Sequence, residues 1–243
     1  MSRVIVITGG TSGIGKDLVK KFASKNNKVF VLSRNEKNIE NTKKKINSAN
    51  VDFIVCDLLK EKDIIKAFEK INSKIDCIDL LINNAAYDYM SDIENYNYEA
   101  FSNIINTNLL GKVFCTKYAL KLLKKSKYPS VINIASRLAT KPMFDSSAYC
   151  CGASSIVMFT KCAAIEFEKY SIRVNCISPS LTKTPLALKS YTKDEIESIK
   201  EKSTRKRLCT PNDIYELIEF LSSKKSDYIN GENININSGI LLK

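Results

Sequence analysis

A glycine-rich segment near the start of the chain offers the clearest chemistry. It reads Thr8-Gly-Gly-Thr-Ser-Gly-Ile-Gly15 and is followed at once by a helical pattern up to Ser24. Glycines allow a sharp turn and a close approach of the backbone, and the first N–H groups of a helix favour negative charge. Such a turn can be purely structural, but its place between a strand and a helix favours a dinucleotide site. The predicted diphosphate contacts are Gly9, Thr11, Ser12, Gly13, Ile14 and Gly15.

The choice of dinucleotide depends on the charge at the end of the second apolar run. An acidic side chain there would bond the ribose 2′-hydroxyl and repel a 2′-phosphate. This chain instead has Ser33 followed by Arg34, whose guanidinium can pair with a phosphate in a bidentate manner. The pair therefore favours NADP(H), with NAD(H) still possible. If Arg34 is only a solvated surface residue, the cofactor stays undecided.

Short apolar runs alternate with longer amphipathic stretches along the chain. This pattern predicts a Rossmann-type, doubly wound parallel α/β sheet of about seven strands, because such strands are buried on both faces. At 243 residues, one domain spanning 1–243 is expected. The predicted strands are Val4–Ile7, Lys28–Leu32, Val51–Val55, Ile78–Ile82, Val131–Ile134, Ile172–Ile177 and Asn233–Ile236.

The segment from about 185 to 210 interrupts this rhythm, being polar and charged with few large apolar side chains. It is either a substrate lid or an ordinary pair of surface helices. Its basic residues Arg205 to Arg207 would suit an acidic ligand, such as a carrier-bound acyl chain or a nucleotide sugar, or belong simply to the surface.

Composition narrows the class of protein. The chain is 44% hydrophobic and 26% charged, as in ordinary globular proteins, and its net charge of +12 is spread over many segments. Nucleic-acid binding is therefore the less favoured interpretation of that charge. Eight scattered cysteines without a C-x-x-C pair, and no histidine, argue against a metal site. The chain has no uninterrupted run of about 18 apolar residues, so we expect a cytoplasmic protein without a membrane segment.

Five motifs in order resemble those of the short-chain dehydrogenase/reductase family, over nearly the whole chain. The turn matches T-G-x-x-x-G-I-G, and the fourth strand ends in Asn-Asn-Ala-Ala, similar to the family's N-N-A-G. Asn108 matches a helix asparagine, and Ser136 precedes Tyr149 by the family's spacing. The stretch from Arg173 to Thr184 follows R-V-N-x-I-x-P-G-x-x-x-T. The resemblance includes the 3-oxoacyl-carrier-protein reductases of that family.

The resemblance implies roles for these residues. Tyr149 would donate a proton, Ser136 would hold the substrate oxygen, and Asn108 would hold a water or the active-site helix. It also implies a homo-oligomer, a dimer or tetramer, built on the helices that include residues 109–125 and 148–169. Further cofactor contacts implied by the family are Asp57, Leu58, Asn83, Ala85, Tyr149, Pro179 and Thr184.

One family residue is missing. The family places a lysine four residues after the tyrosine, on the same helix face, whereas this chain has Ala153. An ammonium there stabilises the phenolate and bonds the nicotinamide ribose. The vacated space could be filled by Lys141, Arg137 or a water. The alanine is either an engineered change, an altered natural chemistry or the mark of a protein that has lost catalysis.

The sequence therefore predicts an NADP(H)-dependent oxidoreductase that reduces a carbonyl group on a small or carrier-bound substrate, with impaired or altered catalysis. A tyrosine without the lysine is neutral at pH 7, which favours reduction over oxidation. The alternative is a dinucleotide-binding protein without catalytic activity, such as a regulator or scaffold.

Overall fold

A single parallel sheet forms the centre of the protein. The computed structural model describes residues 2–189 and 191–242. Its strands are β1 (Val4–Thr8), β2 (Lys28–Ser33), β3 (Val51–Val55), β4 (Leu80–Asn83), β5 (Ser130–Ile134), β6 (Arg173–Pro179) and β7 (Asn233–Ile236). Within the described residues they form one sheet of seven strands in the order β3-β2-β1-β4-β5-β6-β7, all parallel. The predicted Rossmann-type architecture is confirmed.

Helices cover both faces of the sheet. They are α1 (Gly13–Ser24), α2 (Glu36–Ile46), α3 (Glu61–Asn72), α4 (Tyr98–Ile105), α5 (Gly111–Leu123), α6 (Ser147–Glu166), α7 (Pro185–Lys189), α8 (Lys193–Lys202) and α9 (Pro211–Leu221). One core cluster joins the sheet to α1 and α9, and another joins it to α3, α5 and α6. Because apolar side chains of the strands are buried on both faces, the strands have the nearly continuous apolar sequences of a covered parallel sheet.

The strand order reverses between β1 and β4, the two central neighbours. In an open parallel sheet, ligands bind outside the carboxyl ends of the strands at such a switch point. Thr8 ends β1 and Asn83 ends β4, and β5 ends two residues before Ser136. The fold therefore brings the glycine-rich turn and the predicted catalytic residues to one edge.

The segment predicted as a lid or a surface helix pair forms α7 and α8, although Ser190 lies outside the described residues. Helix α8 begins at a capping box in which Thr192 and Glu195 bond each other's backbone N–H groups, and its side chains stay at the surface. Of the basic run, Arg207 pairs with Asp213 and Lys206 with Glu201. The segment consequently offers less free positive charge than its sequence suggests.

Helix α6 is 20 residues long and apolar enough, by length and composition, to cross a membrane. Core helices of globular proteins pass the same test, and α6 packs against β6 and buries Ile156 and Ala163.

Candidate active site

The turn after β1 is shaped by glycines at two points of close approach. Gly9 has a φ of +68°, and a Cβ there would lie 2.8 Å from the Cα of Ala85. A Cβ on Gly15 would collide with the carbonyl oxygen of Gly9. Only glycine fits either position, so the turn is packed tightly against the end of β4.

An asparagine that the sequence analysis did not select holds this turn in place. The Nδ2 of Asn84 donates to the carbonyl oxygens of Thr8 and Gly9, at 3.0 and 3.2 Å. In return, the buried hydroxyl of Thr8 accepts from the backbone N–H groups of Asn84 and Ala85, both at 3.0 Å. Asn84 is the second residue of the stretch that resembles N-N-A-G, so that motif is the signal that could have identified it.

Asn83 itself is fully buried at the end of β4. Its amide donates to Thr116 Oγ1 and Asn133 Oδ1, each at 2.9 Å. These bonds lie inside the core, so the structure does not expose the Asn83 side chain for contact with a cofactor. Ala85, by contrast, lies directly against Gly9.

The N-terminus of α1 fits a diphosphate. Ser12 is the N-cap residue, and its exposed side chain makes no capping hydrogen bond, which leaves the first N–H groups of the helix open to a ligand. Thr184 lies across from Gly13, with its hydroxyl 3.9 Å from the position that a Cβ there would take. Ile14 packs against the core cluster beneath. Together these residues form a cradle lined by backbone.

The candidate site extends from this cradle toward the end of β2. The hydroxyls of Thr11 and Ser33 bond each other at 2.8 Å and are buried, so Ser33 supports the turn. Arg34 is exposed, and its guanidinium carbon lies 5.7 Å from the centre of the Tyr87 ring. The cation is therefore available at the position where a ribose phosphate would lie.

The remaining predicted cofactor contacts occupy loops at the same edge. Asp57 accepts from the backbone N–H of Leu59 at 3.2 Å and is half-buried. Leu58 packs against Gly111, where a Cβ would come within 2.8 Å of it. Pro179 ends β6 and is buried beside Ile236 of β7.

Tyr149 lies in the first turn of α6, close to the hydroxyl of Ser136. Burial raises the pKa of Tyr149 to about 12, the negative charge of Asp88 acts in the same direction, and the nearby Ser136 hydroxyl acts in the opposite one. The Ser136 hydroxyl also accepts from the N–H of Leu138, at 3.2 Å, in the helical turn that follows. The structure thus brings the predicted pair together and keeps the phenol protonated at neutral pH.

Asn108 lies in a π-helical turn, Asn106–Leu110, between α4 and α5. Its side chain accepts from the backbone N–H of Tyr87 at 2.8 Å and donates to the carbonyl of Tyr87 at 2.9 Å. Gly152 allows α6 to approach, because a Cβ there would lie 3.2 Å from the Cβ of Asn108. Asn108 therefore holds the loop after β4 by its two hydrogen bonds and lies next to α6 at Gly152.

The position of the missing lysine borders a small cavity of about 10 Å³, the scale of one water molecule. Of the two cations suggested as substitutes, Arg137 is half-buried and directs a guanidinium nitrogen toward the sulfur of Met143, and Lys141 is exposed. The residues that line the cavity are Ala86, Asn108, Lys112, Ile134, Ala135, Tyr149, Gly152, Ala153 and Ile156. The lysine at this cavity is Lys112 of α5, which the sequence analysis did not select.

Comparisons with known proteins agree with this geometry. A family model described as short chain dehydrogenase matches residues 3–195. Acetoacetyl-CoA reductase of Acinetobacter sp. (strain RA3849) is 27% identical over 247 residues, covering 99% of this chain and 98% of the relative. The structure of ElxO with NADP bound superposes with a TM-score of 0.91 at 29% identity, covering 100% of both chains. The structure of 3-ketoacyl-(acyl-carrier-protein) reductase from Brucella melitensis complexed with NADH gives 0.89 at 28%, covering 98% of both. The chain belongs to the short chain dehydrogenase family.

Proposed function

We propose that this protein uses NADPH to reduce a carbonyl group on a small or carrier-linked substrate. The observation that carries the proposal is the proximity of Ser136 and Tyr149 at the same sheet edge as the glycine cradle. With a pKa of about 12, Tyr149 holds its proton throughout the neutral range and suits the acid needed for reduction. Oxidation of an alcohol would need the phenolate, which is scarce at pH 7.

The reaction balances with these groups. The reduced nicotinamide, when bound, supplies a hydride, which brings two electrons to the carbonyl carbon. Tyr149 gives its hydroxyl proton to the carbonyl oxygen, and Ser136 donates a hydrogen bond to that oxygen before and during the transfer. The products are an alcohol and a tyrosinate, which must regain a proton before the next turnover.

Cofactor preference rests on Arg34. Its exposed guanidinium would pair with the 2′-phosphate of NADPH, and the neighbouring Ser33 offers no carboxylate to hold the ribose hydroxyls of NADH. ElxO carries NADP, and the Brucella reductase carries NADH, so both cofactors occur among similar structures. We expect Arg34→Asp to weaken NADPH binding and to improve NADH binding, measured by titrating the fluorescence of each reduced cofactor.

The substrate class follows from the relatives. Acetoacetyl-CoA reductase and 3-ketoacyl-(acyl-carrier-protein) reductase are named for thioester-linked ketones. A 3-ketoacyl thioester is therefore the first substrate to assay, beside simple ketones. Segment 185–210 would act as the lid, because few of the side chains that the structure describes in this segment are buried.

Ala153 supports a second candidate function, a dinucleotide-binding protein that lacks turnover. Without an ammonium at that position, the phenol gains no electrostatic stabilisation of its charged form from α6. Cofactor binding without consumption of NADPH would favour this candidate. Consumption of NADPH by any ketone in the panel would reject it.

The decisive experiment follows NADPH absorbance with acetoacetyl-CoA and a ketone panel. We expect Tyr149→Phe to lose at least tenfold in kcat while it still binds NADPH, because the cradle does not include the phenol proton. Tyr98→Phe, in which a tyrosine 89% exposed is changed, is the matched control and should behave as the wild type. Equal turnover by Tyr149→Phe would contradict the proposal, as would a wild-type chain that binds neither nucleotide.

The wider setting is also a proposal. The protein would be cytoplasmic, would bind neither nucleic acid nor membrane, and would assemble into a homo-oligomer through α5 and α6. Exposed apolar side chains on α6, Met158 and Ile165, support that assembly.

A further inference from the structure

Lys112 is a buried cation that the reaction described above does not use. The residue is 2% exposed and lies in the first turn of α5. Its Nζ donates to the carbonyl oxygen of Ile134 at 2.6 Å. Within residues 2–189 and 191–242, that neutral carbonyl is the one acceptor bonded by Nζ, and Lys112 forms no ion pair. An ammonium has three protons, so two are left without a protein acceptor.

Lys112 lies close to the residues proposed for catalysis. Lys112 and Ala153 come from different helices but line the same cavity, and Tyr149 lines it as well. The Ile134 carbonyl that fixes Nζ lies two residues before Ser136, at the end of β5. Position 153 therefore borders the same cavity as a lysine that is already present.

We propose that Lys112 takes the part of the lysine that the family places at position 153, as a positioning residue that returns a proton to Tyr149 through a water in their shared cavity. This inference rests on the proposed reduction. The cavity volume of about 10 Å³ is close to the space that one water needs, and both Lys112 and Tyr149 line the cavity.

The proton balance is closed by this route. After Tyr149 has given its proton to the carbonyl oxygen, the cavity water gives a proton to the tyrosinate and takes one from the Lys112 ammonium. The neutral amine is then protonated again from solvent. No electrons move in these steps, because the hydride has already reduced the carbonyl.

A purely structural lysine explains the site less well. Lysines are almost never fully buried without a charged partner, and a single bond to a neutral carbonyl is a weak compensation. Burial lowers the pKa of Lys112 from 10.5 to about 8, and Cys176 acts in the opposite direction. An ammonium that loses its proton so near neutrality is an effective proton donor.

The first test compares Lys112→Met with the wild type in reduction of the acceptor found for the protein. We expect kcat to fall roughly tenfold to hundredfold, with the KM for NADPH unchanged. In the wild type kcat should decline as pH rises through about 8, and Lys112→Met should lack that decline. Tyr149 cannot produce it, because its pKa is about 12.

The matched control is Lys117→Met, which removes an exposed lysine from the same helix and should leave both kcat and the pH profile unchanged. The double variant Lys112→Met/Ala153→Lys moves the ammonium to the family position and should recover most of the lost kcat. Ala153→Lys alone would put two cations at one cavity, so it should not raise kcat. Wild-type kcat and an unaltered decline in Lys112→Met would overturn the proposal.

A readout without turnover separates this inference from the proposed function. In the cofactor-free protein, NMR of ¹³C-labelled lysine should show one signal, absent in Lys112→Met, that titrates near pH 8. Tyr149→Phe should move its midpoint, because the tyrosine hydroxyl no longer bonds the shared water. A midpoint unaffected by Tyr149→Phe overturns the inference, even if NADPH is consumed. A wild type that binds no nucleotide instead refutes the proposed function, while a coupled midpoint would still support the link between the two side chains.

Discussion

At the scale of single residues, the proposed active site contains two ionisable groups whose neutral forms are both favoured by burial. Burial raises the pKa of Tyr149 and lowers the pKa of Lys112. Cys176 on β6, the other titratable group near Lys112, is itself kept neutral because burial raises its pKa to about 11. At pH 7 the lysine is therefore the only charge among these three groups.

This charge has a cost in stability that can be measured. The pKa of Lys112 is near 10.5 in the unfolded chain and about 8 in the folded chain. At neutral pH the folded protein therefore keeps Lys112 protonated, although burial disfavours the charged form. Each unit of pKa shift corresponds to about 1.4 kcal/mol. We expect Lys112→Met to raise the free energy of unfolding at pH 7 by as much as about 3 kcal/mol.

The contribution of Lys112 to the free energy of unfolding changes with pH in a defined direction. The unfolded state binds more protons than the folded state between pH 8 and 10.5, so the Lys112 contribution makes the wild type more stable as pH rises through that window. The advantage of Lys112→Met should therefore shrink over the same window. Urea unfolding at several pH values measures it, with Lys117→Met as the control. A variant less stable than the wild type at pH 7 would show that the lysine supports the fold.

At the scale of elements, the sequence predicted the strands well, because a strand buried on both faces is apolar along its whole length. The start of β4 was wrong by two residues. Ile78 is apolar and buried, but its N–H donates to the carbonyl of Leu122 in α5, so the strand begins only at Leu80. An apolar run in the sequence indicates that a segment is buried. It does not indicate whether the backbone N–H groups of that segment bond a strand or a helix.

The candidate site was predictable where motif and strand end coincide. Ser136 and Tyr149 belong to adjacent elements and lie close together, whereas Lys112 was not predicted because a lysine in an amphipathic helix usually lies at the surface. The contact of α5 with β5 places it at the cavity that Ala153 also lines. Such a contact between distant segments leaves no periodic signal in one sequence.

The turn after β1 is an element whose support comes from another strand. Asn84→Ala removes the two bonds from its amide to the Thr8 and Gly9 carbonyls. We expect a loss of about 1–3 kcal/mol in the free energy of unfolding and weaker NADPH binding, because the cradle would lose its fixed shape. Thermal unfolding and a fluorescence titration measure the two effects.

Asn95→Ala is the control for that variant, since the amide of the exposed Asn95 donates to the nearby Asp92 side chain and to no other group in the described part of the chain. Its stability and its affinity for NADPH should equal those of the wild type. If Asn84→Ala bound NADPH as tightly as the wild type, the turn would hold its shape without the asparagine.

At the scale of the whole molecule, the surface charge and the exposed apolar side chains bear on which partners the protein binds. The net charge of +12 is distributed over many surface lysines, several of which pair with neighbouring carboxylates, as Lys28 and Lys74 do with Asp52. That distribution favours solubility over a single anionic partner. Exposed apolar side chains, by contrast, occur on the helix that carries Tyr149, where Met158 is 59% and Ile165 74% exposed.

Association through this helix would also stabilise the active site, because α6 supplies Tyr149 and part of the shared cavity. We expect the wild type to sediment at two or four times the chain mass of 27.3 kDa, and Met158→Lys/Ile165→Lys to sediment closer to that mass, because charges would then face the partner helix. Tyr228→Lys changes a side chain that is still more exposed and lies outside α5 and α6, so it should leave the assembly intact. Analytical ultracentrifugation distinguishes the species. A double variant that assembles like the wild type would locate the interface on another surface, and the active-site helix would then be held by the fold of one chain alone.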